Sequence, residues 1–130
     1  MSRENIEIVR NSYRAYVRGD LEAAFGVLDP AIEIYDHDIP DAGKYHGWEG
    51  MLAWQTDWES GWKSWRWDPE DFIDAGDRVV AILHLYAHGR GSGVDVEGVD
   101  GAVWMLSDGK AIRLDYYGSK EQAMEAVRSK

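Results

Sequence analysis

The hydrophobic period of this chain changes partway along, and that change limits the fold more than any other feature. Up to Trp62 the apolar residues recur mainly every three or four positions; from Ser64 to Tyr117 they mainly alternate. Helices gathered early and strands gathered late make an α+β domain, with the helices on one face of a curved antiparallel sheet. Ile6, Val9, Tyr13, Tyr16 and Val17 predict a first helix, with Ser2 as its cap and Gly19 as its stop. Asp20 caps a second short helix, Leu21 to Leu28, closed by Asp29-Pro30. Ile32 to Asp36 reads as a short strand, and the stretch from His37 to Gly47 as a loop with Pro40 and Gly43. A third helix, Trp48 to Trp62, carries the stripe Met51, Trp54, Trp58 and Trp62.

The second half supplies the sheet. Ser64 to Trp67 and Asp71 to Ile73 read as short strands, and Arg78 to Gly89 as a long one. Residues 91–93 make a bend, Val94 to Leu106 returns, and Ser107-Asp108-Gly109 turns into a last strand, Lys110 to Tyr117. Ser119 and Gln122 form a capping box for a terminal helix. The 130 residues leave room for one domain, 1–130. A bent sheet closed by three helices of the N-terminal half and a short C-terminal helix is a cone with a pocket at its mouth.

Charge and composition narrow the function classes. Asp and Glu number 24 against 14 Lys and Arg, a net charge of −10, so a nucleic-acid backbone or an anionic membrane would be repelled. There is no cysteine, which excludes thiolate chemistry, disulfides and zinc–sulfur sites. No secretory leader or membrane-spanning run is seen, and the cytoplasm is the expected compartment. No Gly-rich phosphate loop follows a strand and no helical His pair occurs, so no cofactor is expected. The loop carrying Asp36, His37, Asp38, Asp41 and His46 holds metal-type ligands, but neighbouring residues cannot all converge on one ion, so no metal is expected either.

Several segments together carry a resemblance. They are Tyr13-Arg14-Ala15-Tyr16, Arg18-Gly19-Asp20-Leu21-Glu22, Leu28-Asp29-Pro30-Ala31, Tyr35-Asp36 and Tyr45-His46-Gly47-Trp48-Glu49-Gly50, followed by Phe72 to Val80 and Asp108-Gly109-Lys110. In this order and spacing the chain resembles the nuclear transport factor 2-like superfamily, in particular its SnoaL-like polyketide cyclase and ketosteroid isomerase branches. The resemblance implies the cone fold and a homodimer packed through the sheet. It also places Asp36 where ketosteroid isomerases carry their catalytic base. The isomerase's two oxyanion donors fall in register on Ser12 and Gly101, neither of which suits, so a steroid isomerase is not expected. Limonene epoxide hydrolases share the fold; in register Tyr116 replaces one acid of their Asp–Arg–Asp relay, and no inward Arg is seen.

The residues themselves support a pocket enzyme. A carboxylate at the end of a short strand, aimed into an apolar cone, is partly desolvated and becomes a stronger base, which suits Asp36. Tyr116 shares the inward parity of Ile112 and Leu114, and its hydroxyl, like that of Tyr13, can donate to a substrate oxygen. Tyr16, Trp54, Trp58, Trp65, Trp67, Val103, Met105 and Leu114 are expected to line the pocket. His84, Tyr86, His88 and Trp104 are expected on the outer, subunit-facing side of the sheet. The reading is a cofactor-free enzyme acting on a small hydrophobic carbonyl compound by general acid–base catalysis: cyclisation, dehydration or isomerisation. The alternatives are a non-catalytic binding protein for a small hydrophobic ligand, or an epoxide hydrolase-like hydrolase.

Overall fold

A computed structural model describes residues 2–38, 44–91 and 94–128. The elements are α1 (Ser2–Val17), α2 (Leu21–Gly26), β1 (Leu28–Asp36), β2 (Lys44–His46), α3 (Gly47–Glu59), β3 (Trp62–Ala75), β4 (Arg78–Gly89), β5 (Asp95–Ser107), β6 (Lys110–Tyr117) and α4 (Lys120–Arg128). Asp41, Pro40 and Gly43 of the expected loop, and residues 92–93 of the expected bend, lie outside the described residues.

Local chemistry explains the joints. The Asp20 amide donates to the Ala15 carbonyl at 2.9 Å and the Gly19 amide to Tyr16 at 3.0 Å, closing α1 through a left-handed Gly19. Asp20 then accepts from the Ala23 amide at 3.1 Å and starts α2. The β5–β6 hairpin turns on Asp108 and Gly109, both with positive φ, the twist a two-residue hairpin needs.

The six strands run in the order β2-β1-β6-β5-β4-β3. All neighbours are antiparallel except β1 and β6, which pair in parallel because α3 and the meander separate them in sequence. The sheet is therefore mixed, where an antiparallel one was expected. β3 is one strand, not two, with register shifts between Trp62 and Ser64 and between Pro69 and Asp71 that bend it over the helices. Trp62 belongs to this strand and not to α3; its ring still packs on Trp58 at 5.7 Å, so helical spacing and strand position lead to the same neighbour. β1 begins at Leu28, where a helical turn was expected, since Asp29-Pro30 cannot continue a helix.

Two apolar layers result. The larger lies between α1, α2, α3 and the concave side of the sheet, around Ile32, Ile34, Trp54, Trp67, Leu83, Leu114 and Tyr116. The smaller lies on the other side, where α4 sets Ala123 on Val80, Ile82 and Val103. α4 thus covers the back of the sheet and does not close the pocket. The approach is so tight that a Cβ at Gly101 would overlap the Cβ of Ala123. Gly101→Val is expected to cost about 1–3 kcal/mol, because α4 must lift off the sheet. A thermal melt unchanged from the parent would contradict this. Among the described residues no helix is long and apolar enough to cross a membrane.

Candidate functional site

The bent sheet and helices α1 to α3 line a partly open void of about 50 Å³. That is room for roughly three or four water-sized spheres, hence for a compact ligand. Tyr13 and Tyr16 reach it from α1, Phe25 from α2, and Met51, Trp54 and Gln55 from α3. Trp67, Leu83, Ala102, Trp104, Leu114 and Tyr116 reach it from the strands.

Of the residues expected here, Tyr13, Tyr16, Trp54, Trp67, Leu114 and Tyr116 stand on the wall. Trp58 and Trp65 stand behind it, their rings 4.7 and 4.9 Å from Trp67. Val103 and Met105 are on the opposite side of the sheet: Val103 packs beneath α4, and Met105 pairs with Arg78 and Arg113. Their placement is a correction with a single cause. The inward residues of β5 are Asp100, Ala102, Trp104 and Leu106, the reverse of the expected parity. Trp104 consequently leaves the outer face; its indole N–H donates to the Tyr13 hydroxyl at 3.1 Å inside the cone. His84, Tyr86 and His88 do remain outside, with His84 between Glu70 and Glu97 at 2.8 and 2.7 Å.

Asp36 is buried and fully partnered. Its Oδ2 accepts from the Trp54 indole at 2.7 Å and its Oδ1 from the Asp38 amide at 3.0 Å. It is not on the cavity wall, because Trp54 and Tyr116 are the residues that reach the void there. The carboxyl closest in role to the wall is Asp100, which sequence reasoning passed over as the neighbour of Gly101. Asp100 is 6% exposed and accepts the Tyr116 hydroxyl proton, while the same hydroxyl accepts from the Trp67 indole at 3.2 Å. Trp67, Tyr116 and Asp100 thus form a buried hydrogen-bonded chain ending on a carboxyl. The sequence puts Asp100 on one side with Ala102 and Trp104, but does not say which side faces the cavity.

Electrostatics single out this chain. Burial pushes the Tyr116 phenol far up, and the Asp100 charge adds to that. Burial also raises the Asp100 carboxyl; the Tyr116 hydrogen bond opposes the rise, and Asp38 and Asp36 add to it. Asp38, packed against Gly118, is raised by burial and then by Asp36. A carboxyl raised on folding holds its proton better in the folded chain. Its stabilisation is complete below the unfolded value, near pH 4, and is lost as pH climbs through the folded value. Asp100→Asn abolishes this titration, so its stability relative to the parent should increase between about pH 4 and pH 7. Urea melts at both values check this; a constant difference would refute it.

No three His, Asp or Glu side chains among the described residues are grouped to hold a metal ion. No Arg reaches the cavity among the described lining residues; Arg113 lies outside, paired with Asp115 at 2.8 Å.

Fold and cavity define a small α+β cone of the pocket-bearing kind. Residues 9–114 match the SnoaL-like domain, and the chain belongs to that family. No protein of curated function matches it in sequence. An NTF2-like protein from Burkholderia thailandensis is 25% identical, with a TM-score of 0.78 over 92% of this chain and 95% of that one. A protein assigned as a SnoaL-like polyketide cyclase, from Jannaschia sp., is 20% identical with a TM-score of 0.78, over 99% and 94% of the two chains. A protein with a ketosteroid isomerase-like fold from Catenulispora acidiphila, in complex with trimethylamine, is 17% identical with a TM-score of 0.72, over 88% and 86%.

Proposed function

We propose that this is a cofactor-free enzyme acting on a small hydrophobic carbonyl compound, with proton transfer through Tyr116 and Asp100. The observation that carries the reading is the Tyr116–Asp100 hydrogen bond at the wall of an aromatic cavity. When Asp100 is ionised it takes the phenol's hydrogen bond, and Tyr116 presents a lone pair to the void. When Asp100 holds a proton it can donate to Tyr116, which frees the phenol's own proton for a substrate oxygen. As the phenol oxygen takes a proton from a carbon next to a carbonyl, its own proton passes to Asp100, and the reverse relay returns one to the resulting enolate. Isomerisation, dehydration and cyclisation all begin with that exchange. Asp36 holds Trp54 in place from behind rather than touching the ligand.

A binding protein without turnover is the second reading. It is favoured by one observation: among the described residues no buried side-chain nitrogen or oxygen lacks a hydrogen-bond partner, so none is left over for a reacting group. The Catenulispora neighbour is in complex with trimethylamine, a compact ligand.

Exchange with solvent deuterium at the carbon next to the carbonyl, followed by NMR on cyclopentanone and acetone, separates the two. The enzyme reading expects exchange well above that of buffer and of heat-unfolded protein. Exchange at the buffer rate, with binding seen as quenching of tryptophan fluorescence, would establish the binding protein instead.

A further inference from the structure

The cavity is rich in ring surface and one-sided in charge. Six of its lining residues are Tyr13, Tyr16, Trp54, Trp67, Trp104 and Tyr116, and no Lys, Arg or His is among the described lining residues. Two of these rings donate their polar hydrogen outward, Trp54 to Asp36 and Tyr116 to Asp100. Trp67 joins through its bond to the Tyr116 hydroxyl. A hydrogen donated to a carboxylate pushes electron density back into the ring and deepens the negative potential of its face. Ring faces already attract cations, most strongly where water is excluded. Asp36 and Asp100 are both buried, so their charge acts through little solvent. The chain's net charge of −10 favours the approach of cations as well.

We propose that the cavity takes a small alkylammonium cation, a compact carbonyl compound whose methylated nitrogen sits in the ring cage formed by Trp54, Trp67, Tyr116 and their neighbours. This rests on the reading of the cavity as the substrate site and names the class of substrate. Methylation matters for a physical reason. A primary ammonium has three hydrogens to satisfy and a firmly held water shell, whereas this wall offers mainly carbon. A methylated nitrogen keeps the charge, asks for fewer hydrogen bonds and sheds water more readily. An anion of the same size would meet ring faces and carboxylates of its own sign.

The test compares two ketones of nearly equal shape, acetonyltrimethylammonium and its neutral analogue 4,4-dimethylpentan-2-one, by calorimetric titration at one pH and ionic strength. The cation is expected to bind about tenfold more tightly or better. Asp100→Asn keeps an acceptor for the Tyr116 hydroxyl and removes the charge. It should weaken the cation's binding several-fold more than the neutral ketone's. Equal or tighter binding of the neutral ketone by the parent protein overturns the inference while leaving the cavity as a substrate site. Binding of neither ketone overturns both readings. A loss in Asp100→Asn that is equal for the two ketones overturns the electrostatic account. If that variant loses its cooperative melt, the comparison within the parent protein decides alone.

Discussion

Tyr116→Phe is expected to lower the rate of carbonyl-adjacent proton exchange by about 10²- to 10⁴-fold, the usual contribution of one positioned acid–base group. The ring, its packing against Trp54 at 5.6 Å and its place on the wall are all kept, so binding should change little. What disappears is the oxygen that links Trp67 to Asp100. Asp100 then loses the one interaction that counters the effect of burial, and its carboxyl should be pushed up further. Stability should fall by about 1–3 kcal/mol, since a buried acceptor and a buried indole N–H lose their partner together. Exchange measured by NMR and a urea melt check the two halves separately. An exchange rate equal to the parent's in a folded Tyr116→Phe would end the proton-transfer role of this residue.

Trp67→Ala is expected to be the most destabilising single change on the wall, by about 3–5 kcal/mol. Trp67 is buried at 7% exposure, and its ring meets Trp58 at 4.7 Å, Trp65 at 4.9 Å, Tyr116 at 5.9 Å, Tyr16 at 6.2 Å and Trp54 at 6.4 Å. These contacts come from α1, α3, β3 and β6, so no single element can collapse into the hole. The midpoint of thermal unfolding should drop on the order of 10–20 °C. Trp65→Ala should cost less, because that ring, which meets Trp67 at 4.9 Å, Trp58 at 5.1 Å and Tyr16 at 6.0 Å, is only half-buried. Thermal melts of the two variants, run side by side, would reject this account if Trp65→Ala proved the more damaging.

The sequence by itself determined the parts of this protein whose signal is local. β4 (Arg78–Gly89) and β6 (Lys110–Tyr117) lie within the residues their alternation marks, because each presents one apolar side to the concave core and a more polar one at its far end. The Gly19 stop, the Asp20 cap and the Asp108-Gly109 turn follow from backbone chemistry that operates over a few residues. The order of these segments also carried the family. Only the tertiary structure decided the facing of β5 and hence the site. With Val99 and Val103 on one side, Ala102, Trp104 and Leu106 on the other, and Gly98 and Gly101 between, the strand is apolar both ways. Period-two reasoning has nothing to choose between when both sides are covered. The choice was made by α4, whose Ala123 needs the bare backbone of Gly101. With Gly101 turned to that helix, Asp100 turns inward to meet Tyr116, a contact across 16 residues. Asp36 shows the same limit: its position in the chain is local information, but the indole of Trp54 that covers it arrives from another element 18 residues away.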